Sequence, residues 1–153
     1  MAYLGPLKAV YSAQLTVDET TATETLGVLG IDPNLGGIYM YVKNASTSAF
    51  AQGDFVAHDY SVATNNAAEI TVMSKLDRLA GCVVNGITNG RHGWIQIFGH
   101  AAYANLFGTT DIVAGDSLKG EGGNVSLVQD QAAGTEPTYH KTVYSLQAVT
   151  TNG

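Results

Sequence analysis

The sequence predicts a mainly β, single-domain protein with little helix, and three observations carry that reading. The segment Gly37-Ile38-Tyr39-Met40-Tyr41-Val42-Lys43-Asn44 alternates its side chains with the period of a half-buried strand. Asn89-Gly90 stands between two apolar runs, the strongest short-range signal for a two-residue hairpin turn. Helical signals are weak: residues 14–26 hold five threonines, and β-branched side chains lose rotamer freedom in a helix. At 153 residues the chain is long enough to bury a core without metal or disulfide staples.

In chain order, residues 1–25 read as an N-terminal arm and 26–153 as a β-rich domain. The Thr-rich stretch 14–26 joins β-propensity to the lack of an apolar pattern that would fold it locally. It is therefore a candidate to add a strand to a neighbour. In 38–43, Ile38, Met40 and Val42 share one face and Tyr39, Tyr41 and Lys43 the other. Along 69–79, Ile70, Met73, Leu76 and Leu79 recur every third residue, but Ile70-Thr71-Val72 prefers extended backbone. A strand running into a turn or a single helical turn is expected there. A two-residue turn at Asn89-Gly90 sets Val84 opposite Ile95 and Cys82 opposite Ile97 on an apolar face. Its other face pairs Asn85 with Trp94, Val83 with Gln96 and Gly81 with Phe98, while Gly86 lies opposite Gly93. Further short strands are expected at 125–128 and through Tyr144, Leu146 and Ala148. One pattern occurs twice, in residues 49–56 and 111–118, where Gly53-Asp54 and Gly115-Asp116 supply turns that lead into strands.

Charge narrows the function. Net charge is −6 and the seven Lys and Arg are scattered, which argues against a nucleic-acid partner. No apolar run approaches the roughly 20 residues that span a bilayer, so no membrane partner is expected. Met1 to Pro6 shows no basic end leading into an apolar core, and no secretory signal is expected. The lone Cys82 forms no internal disulfide and fits manufacture in a reducing cytoplasm, where the Asn-X-Ser triplets at Asn44 and Asn124 meet no glycosylation machinery.

Chemistry-bearing residues do not assemble. His58, His92, His100 and His140 lack the spacing of a zinc site. No Gly-x-Ser-x-Gly elbow is present, and Cys82 points into the core in the hairpin above. Gly120-Glu121-Gly122-Gly123-Asn124 lacks the Lys-Ser/Thr and the helix of a phosphate loop, and Asp111 and Asp116 read as turn residues. No cofactor, no metal and no enzymatic activity are expected. The aromatic residues leave two readings open. Tyr39, Tyr41, Trp94 and Phe98 belong either to a second core covered by the same chain or to an interface, where Trp and Tyr are enriched. On the interface reading, Trp94→Ala abolishes assembly and keeps the fold.

Three segments carry a likeness: residues 26–56, residues 79–101 and Val113-Ala114-Gly115-Asp116-Ser117-Leu118. In that order they resemble the small head decoration (cement) proteins of tailed bacteriophages. The most specific piece is Gly90-x-x-Gly93-Trp94-Ile95-Gln96-Ile97-x-Gly99-x-Ala101, following Ala80-Gly81. The resemblance implies a small β-barrel or tulip-like sandwich that assembles on the capsid exterior of the virion as a trimer, clamping neighbouring copies of the major capsid protein. It supplies no catalytic residue. The residues expected to meet the capsid or a sister subunit are Trp94, Phe98, Tyr103, Tyr39 and Tyr41. A head-fibre or receptor-binding module that holds glycans with Trp94, Asn85 and Gln96 is the alternative. An enzyme uniting His58, Asp59 and Asp116 across subunits ranks behind both.

Overall fold

Alternation along 38–44 produces the strand on which the rest of the fold hangs. In the computed structural model, residues 7–34, 36–59, 69–72, 79–100, 104–105, 117–120, 128–130 and 143–144 are described. Strand β1 is Lys8–Ala9, helix α1 Ser12–Leu15, β2 Leu29–Ile31 and β3 Ile38–Asn44. Then follow β4 (Phe55–His58), β5 (Glu69–Thr71), β6 (Leu79–Val83) and β7 (His92–Phe98). Along one edge β3 pairs antiparallel with β7 from Ile38 opposite Phe98 to Lys43 opposite His92. Its other edge is divided: β2 pairs antiparallel with Ile38 to Met40, and β5 runs parallel beside Lys43 and Asn44. Because β4 joins β5 to β6 and β6 pairs with β7, the ring β3-β5-β4-β6-β7 closes into a five-strand barrel. Closure leaves no edge within the ring. Strands β2 and β1 continue outward from β3.

The barrel interior is filled by Val42, Phe50, Val56, Ile70, Ala80, Val83, Ile87 and Ile95. A polar staple closes one end. Asn44 is buried; its Nδ2 donates to Ser48 O at 2.8 Å and Ile87 O at 2.9 Å, and its Oδ1 accepts from Ser46 N. Gly53-Asp54 makes the expected turn into β4: Gly53 has φ 85°, and Asp54 Oδ2 accepts from Ala51 N at 2.8 Å. The second copy leads into a strand as well, since β8 (Ser117–Gly120) starts directly after Asp116, although Gly115-Asp116 itself lies outside the described residues. β8 pairs with β9 (Val128–Asp130) and β10 (Val143–Tyr144) in a separate three-strand sheet. Of the other expectations, Glu69–Thr71 is the strand predicted for 69–79, and residues 73–78 lie outside the described residues, as do 125–127, Leu146 and Ala148.

The hairpin is present but its register is corrected by one residue. Cys82 stands opposite Gln96 and Val83 opposite Ile95, so Val83 rather than Val84 shares the barrel interior with Ile95. Asn89-Gly90 does form a turn, with Arg91 N–H donating to Thr88 O at 3.0 Å and Gly90 at φ 75°. The chain leaves the ladder before reaching it. Ile87 is drawn away to exchange two backbone hydrogen bonds with Phe50, at 2.9 and 3.0 Å. Burying Ile87 in the barrel lengthens the connection and slips the register.

Candidate interaction surface

Tyr39, Tyr41 and Trp94 face away from the barrel interior and form a second core with Val10 and Leu15, rimmed by Val17, Leu26, Val28 and Val84. Tyr41 and Trp94 are cross-strand partners whose rings meet edge to face, centroids 5.2 Å apart. Residues 8–28 lie over these rings as a strap. Gly30 makes the close approach possible: a Cβ there would sit 2.7 Å from both Val10 methyls and 3.2 Å from the Trp94 ring.

Polar fasteners tie the strap down. Glu19 and His92 exchange two backbone hydrogen bonds, each 2.9 Å. The Glu19 carboxylate accepts from the Tyr41 hydroxyl at 2.5 Å and the Thr23 hydroxyl at 2.6 Å, with the His92 ring stacked on Tyr41. Burial alone pushes the pKa of this carboxyl up, but the hydrogen bonds from Thr23 and Tyr41 and the nearby His92 outweigh it and hold it below the usual carboxylate range. Burial, and then the bond to Glu19, push the Tyr41 hydroxyl up. Asp18 accepts from Thr88 N at 3.0 Å and Thr88 Oγ1 at 2.7 Å and pairs with Arg91. Asn85 Nδ2 donates to Thr16 O at 2.8 Å, and within the strap itself Lys8 pairs with Glu24.

Two expectations are thereby corrected. Tyr39, Tyr41 and Trp94 are 4%, 0% and 3% exposed, so they are core rather than presented surface. The Thr-rich stretch folds on its own barrel rather than waiting for a neighbour, because its partners for Leu15 and Glu19 are supplied by β3 and β7. The polar residues proposed to help Trp94 hold a glycan are also engaged: Asn85 with Thr16, and Gln96 with the carbonyls of Phe98 and His100.

Phe98 remains on the surface, 66% exposed, beside Ile97 at 39%. Alternation ought to bury one of two neighbours on a strand. Here a β-bulge intervenes: Tyr39 faces Gln96 and Ile38 faces Phe98, leaving Ile97 as the extra residue. Bulge and the Gly99 turn (φ 100°) together present both apolar side chains at the end of β7. The sequence reading missed Ile97 as surface because it placed that residue opposite Cys82. Tyr103 lies outside the described residues. Leu7 and Tyr11 add exposed apolar area on the strap side.

No reactive constellation accompanies this surface among the described residues. None of their His, Cys, Asp and Glu side chains gather in threes to hold a metal ion. Burial, with Asp54 nearby, pushes the Cys82 thiol up to about 12, so it stays a thiol at neutral pH. Asp116 lies outside the described residues, so its distance from His58 and Asp59 is not defined. No helix among the described residues is long and apolar enough to cross a membrane. No protein-family model, curated protein or solved structure gives a significant match to the chain.

Proposed function

We propose that the chain is a virion structural protein that binds the outside of a phage capsid and reinforces contacts between copies of the major capsid protein. The observation that carries the proposal is the exposed Ile97-Phe98 pair. It closes the Gly90–Ala101 segment in which the likeness to decoration proteins is most specific, and it is mounted on a closed barrel. A rigid barrel with an apolar prow suits a mechanical task, since binding costs little ordering when the contact residues are already fixed. The role is additive: each copy bridges neighbouring capsomers, so detaching a capsomer requires breaking the bridge too. A homotrimer engages the shell at several points, and modest contacts then gain from effective concentration. On this proposal no enzymatic step, cofactor, nucleic acid or membrane takes part.

Co-sedimentation of the purified protein with bare expanded shells of its phage tests the proposal. Saturable binding at fixed copies per capsomer, with shells that survive more urea, is the expected result. Absence of binding at every salt concentration and maturation state refutes it.

A further inference from the structure

Asparagine followed by glycine is the dipeptide most prone to lose its side-chain amide, because a residue without Cβ lets its nitrogen reach the asparagine carbonyl unhindered. The chain contains Asn85-Gly86, Asn89-Gly90 and Asn152-Gly153, the last outside the described residues. At Asn89-Gly90 the attacking nitrogen is occupied: Gly90 N–H donates to Asn44 O at 2.9 Å. At Asn85-Gly86 no described residue accepts from the Gly86 N–H. The Asn85 side chain is restrained there by a single bond, from Nδ2 to Thr16 O. Thr16 belongs to the strap. Opening the strap therefore releases the amide for reaction, and the state of the amide decides whether the strap can close again.

We propose that Asn85-Gly86 is a deamidation site that acts as a one-way latch on the N-terminal strap. The Gly86 nitrogen gives up its proton and bonds to Asn85 Cγ, the Cγ–Nδ2 bond breaks, and ammonia leaves carrying the proton. Water then opens the succinimide ring. Attack at Cγ gives aspartate, and attack at the main-chain carbonyl gives isoaspartate; overall one water is consumed and one ammonia released. The donor that held Thr16 O has become a carboxylate, an acceptor facing an acceptor, and the chain is one unit more negative. The new charge also joins the loop to which Asp18 is fastened through Thr88 and Arg91. Isoaspartate lengthens the backbone two residues before Ile87, whose two bonds to Phe50 fix the barrel side of this connection. The strain falls on the strap side, and the rings of Tyr39, Tyr41 and Trp94 are uncovered.

The test ages the full-length protein in warm, mildly alkaline buffer. Peptide mapping and isoaspartyl methyltransferase labelling follow each Asn-Gly, and amide exchange follows the Glu19 N–H. Asn85→Asp serves as a mimic of one product and Asn89→Asp as the control. Asn85 is expected to react ahead of Asn89 by roughly fivefold, the population cost of opening the one backbone hydrogen bond at Gly90. Protection of the Glu19 amide falls in step with Asn85 loss; it is low from the outset in Asn85→Asp and normal in Asn89→Asp. Faster reaction at Asn89, or full protection of Glu19 after Asn85 has reacted, overturns the proposal. Ageing starts from folded wild-type protein, so the second criterion stands even if Asn85→Asp does not fold.

Discussion

Truncating Trp94 separates a core residue from a docking residue. Its indole is 3% exposed, meets Tyr41 edge to face and packs in one cluster with Val10 of the strap, beside Gly30. Trp94→Ala removes that ring from a site bounded by two β-strands of a closed barrel, which cannot collapse to fill the space. The cost is therefore about 3–5 kcal/mol, the usual range for a buried large aromatic. With a urea dependence of about 2 kcal/mol per molar for a domain of this size, the unfolding midpoint falls by roughly 2 M. The assay is far-UV circular dichroism, because the substitution removes the only tryptophan. Val10→Ala alone and in combination completes a double-mutant cycle, and a coupling of about 0.5 kcal/mol or more is expected between groups in contact. A midpoint that stays where it was, with loss of oligomer or shell binding alone, refutes the placement of Trp94 under the strap.

Phe98→Ala gives the opposite pattern: stability within about 0.5 kcal/mol of wild type, as for exposed positions, and loss of shell co-sedimentation. Asn44→Ala leaves the Ser46 N–H without its buried acceptor and takes one of two donors from the carbonyls of Ser48 and Ile87, and urea unfolding is expected to show a loss of about 2 kcal/mol. Glu19 has a folded-state value below its unfolded one, so its stabilisation is full above the unfolded value of about 4.3 and is lost as pH falls through the folded value. Amide exchange at Glu19 should accelerate on acidification beyond that point, and Glu19→Gln should abolish the acid step. Tyr41 runs the other way: its contribution is full below about 10 and is lost as pH rises through the raised folded value. Cys82, with its thiol pushed up to about 12, should react with a thiol reagent in denaturant and stay inert in the native protein at neutral pH.

Local pattern and long-range pairing account for what the sequence disclosed and what it withheld. Strand β3 was legible because alternation along 38–43 is a property of consecutive residues, and the turn at Asn89-Gly90 because Gly90 supplies the positive φ. Register was not, since the residue that sets it, Ile87, pairs with Phe50 from a distant part of the chain. The strap was invisible for the same reason. Val10 and Leu15 carry no period, and Glu19 finds its acceptor at His92, 73 residues away. Of the expected contact set, Phe98 alone is on the surface among the described residues, and Ile97 was hidden by a bulge that no local signal marks.

The divided outer edge of β3 also fixes the order in which the molecule can be finished during synthesis. Its N-terminal half needs β2, its C-terminal half needs β5, and its whole opposite edge needs β7. The barrel therefore cannot close until Phe98 has left the ribosome, and such non-local pairing folds slowly. The strap emerges first, yet its place over Trp94 and His92 does not exist until that moment. At roughly 5–20 residues per second, Val10 and Leu15 wait about 4–18 s with their apolar side chains uncovered. Of the strap and the barrel, the part made earlier is the last to be seated.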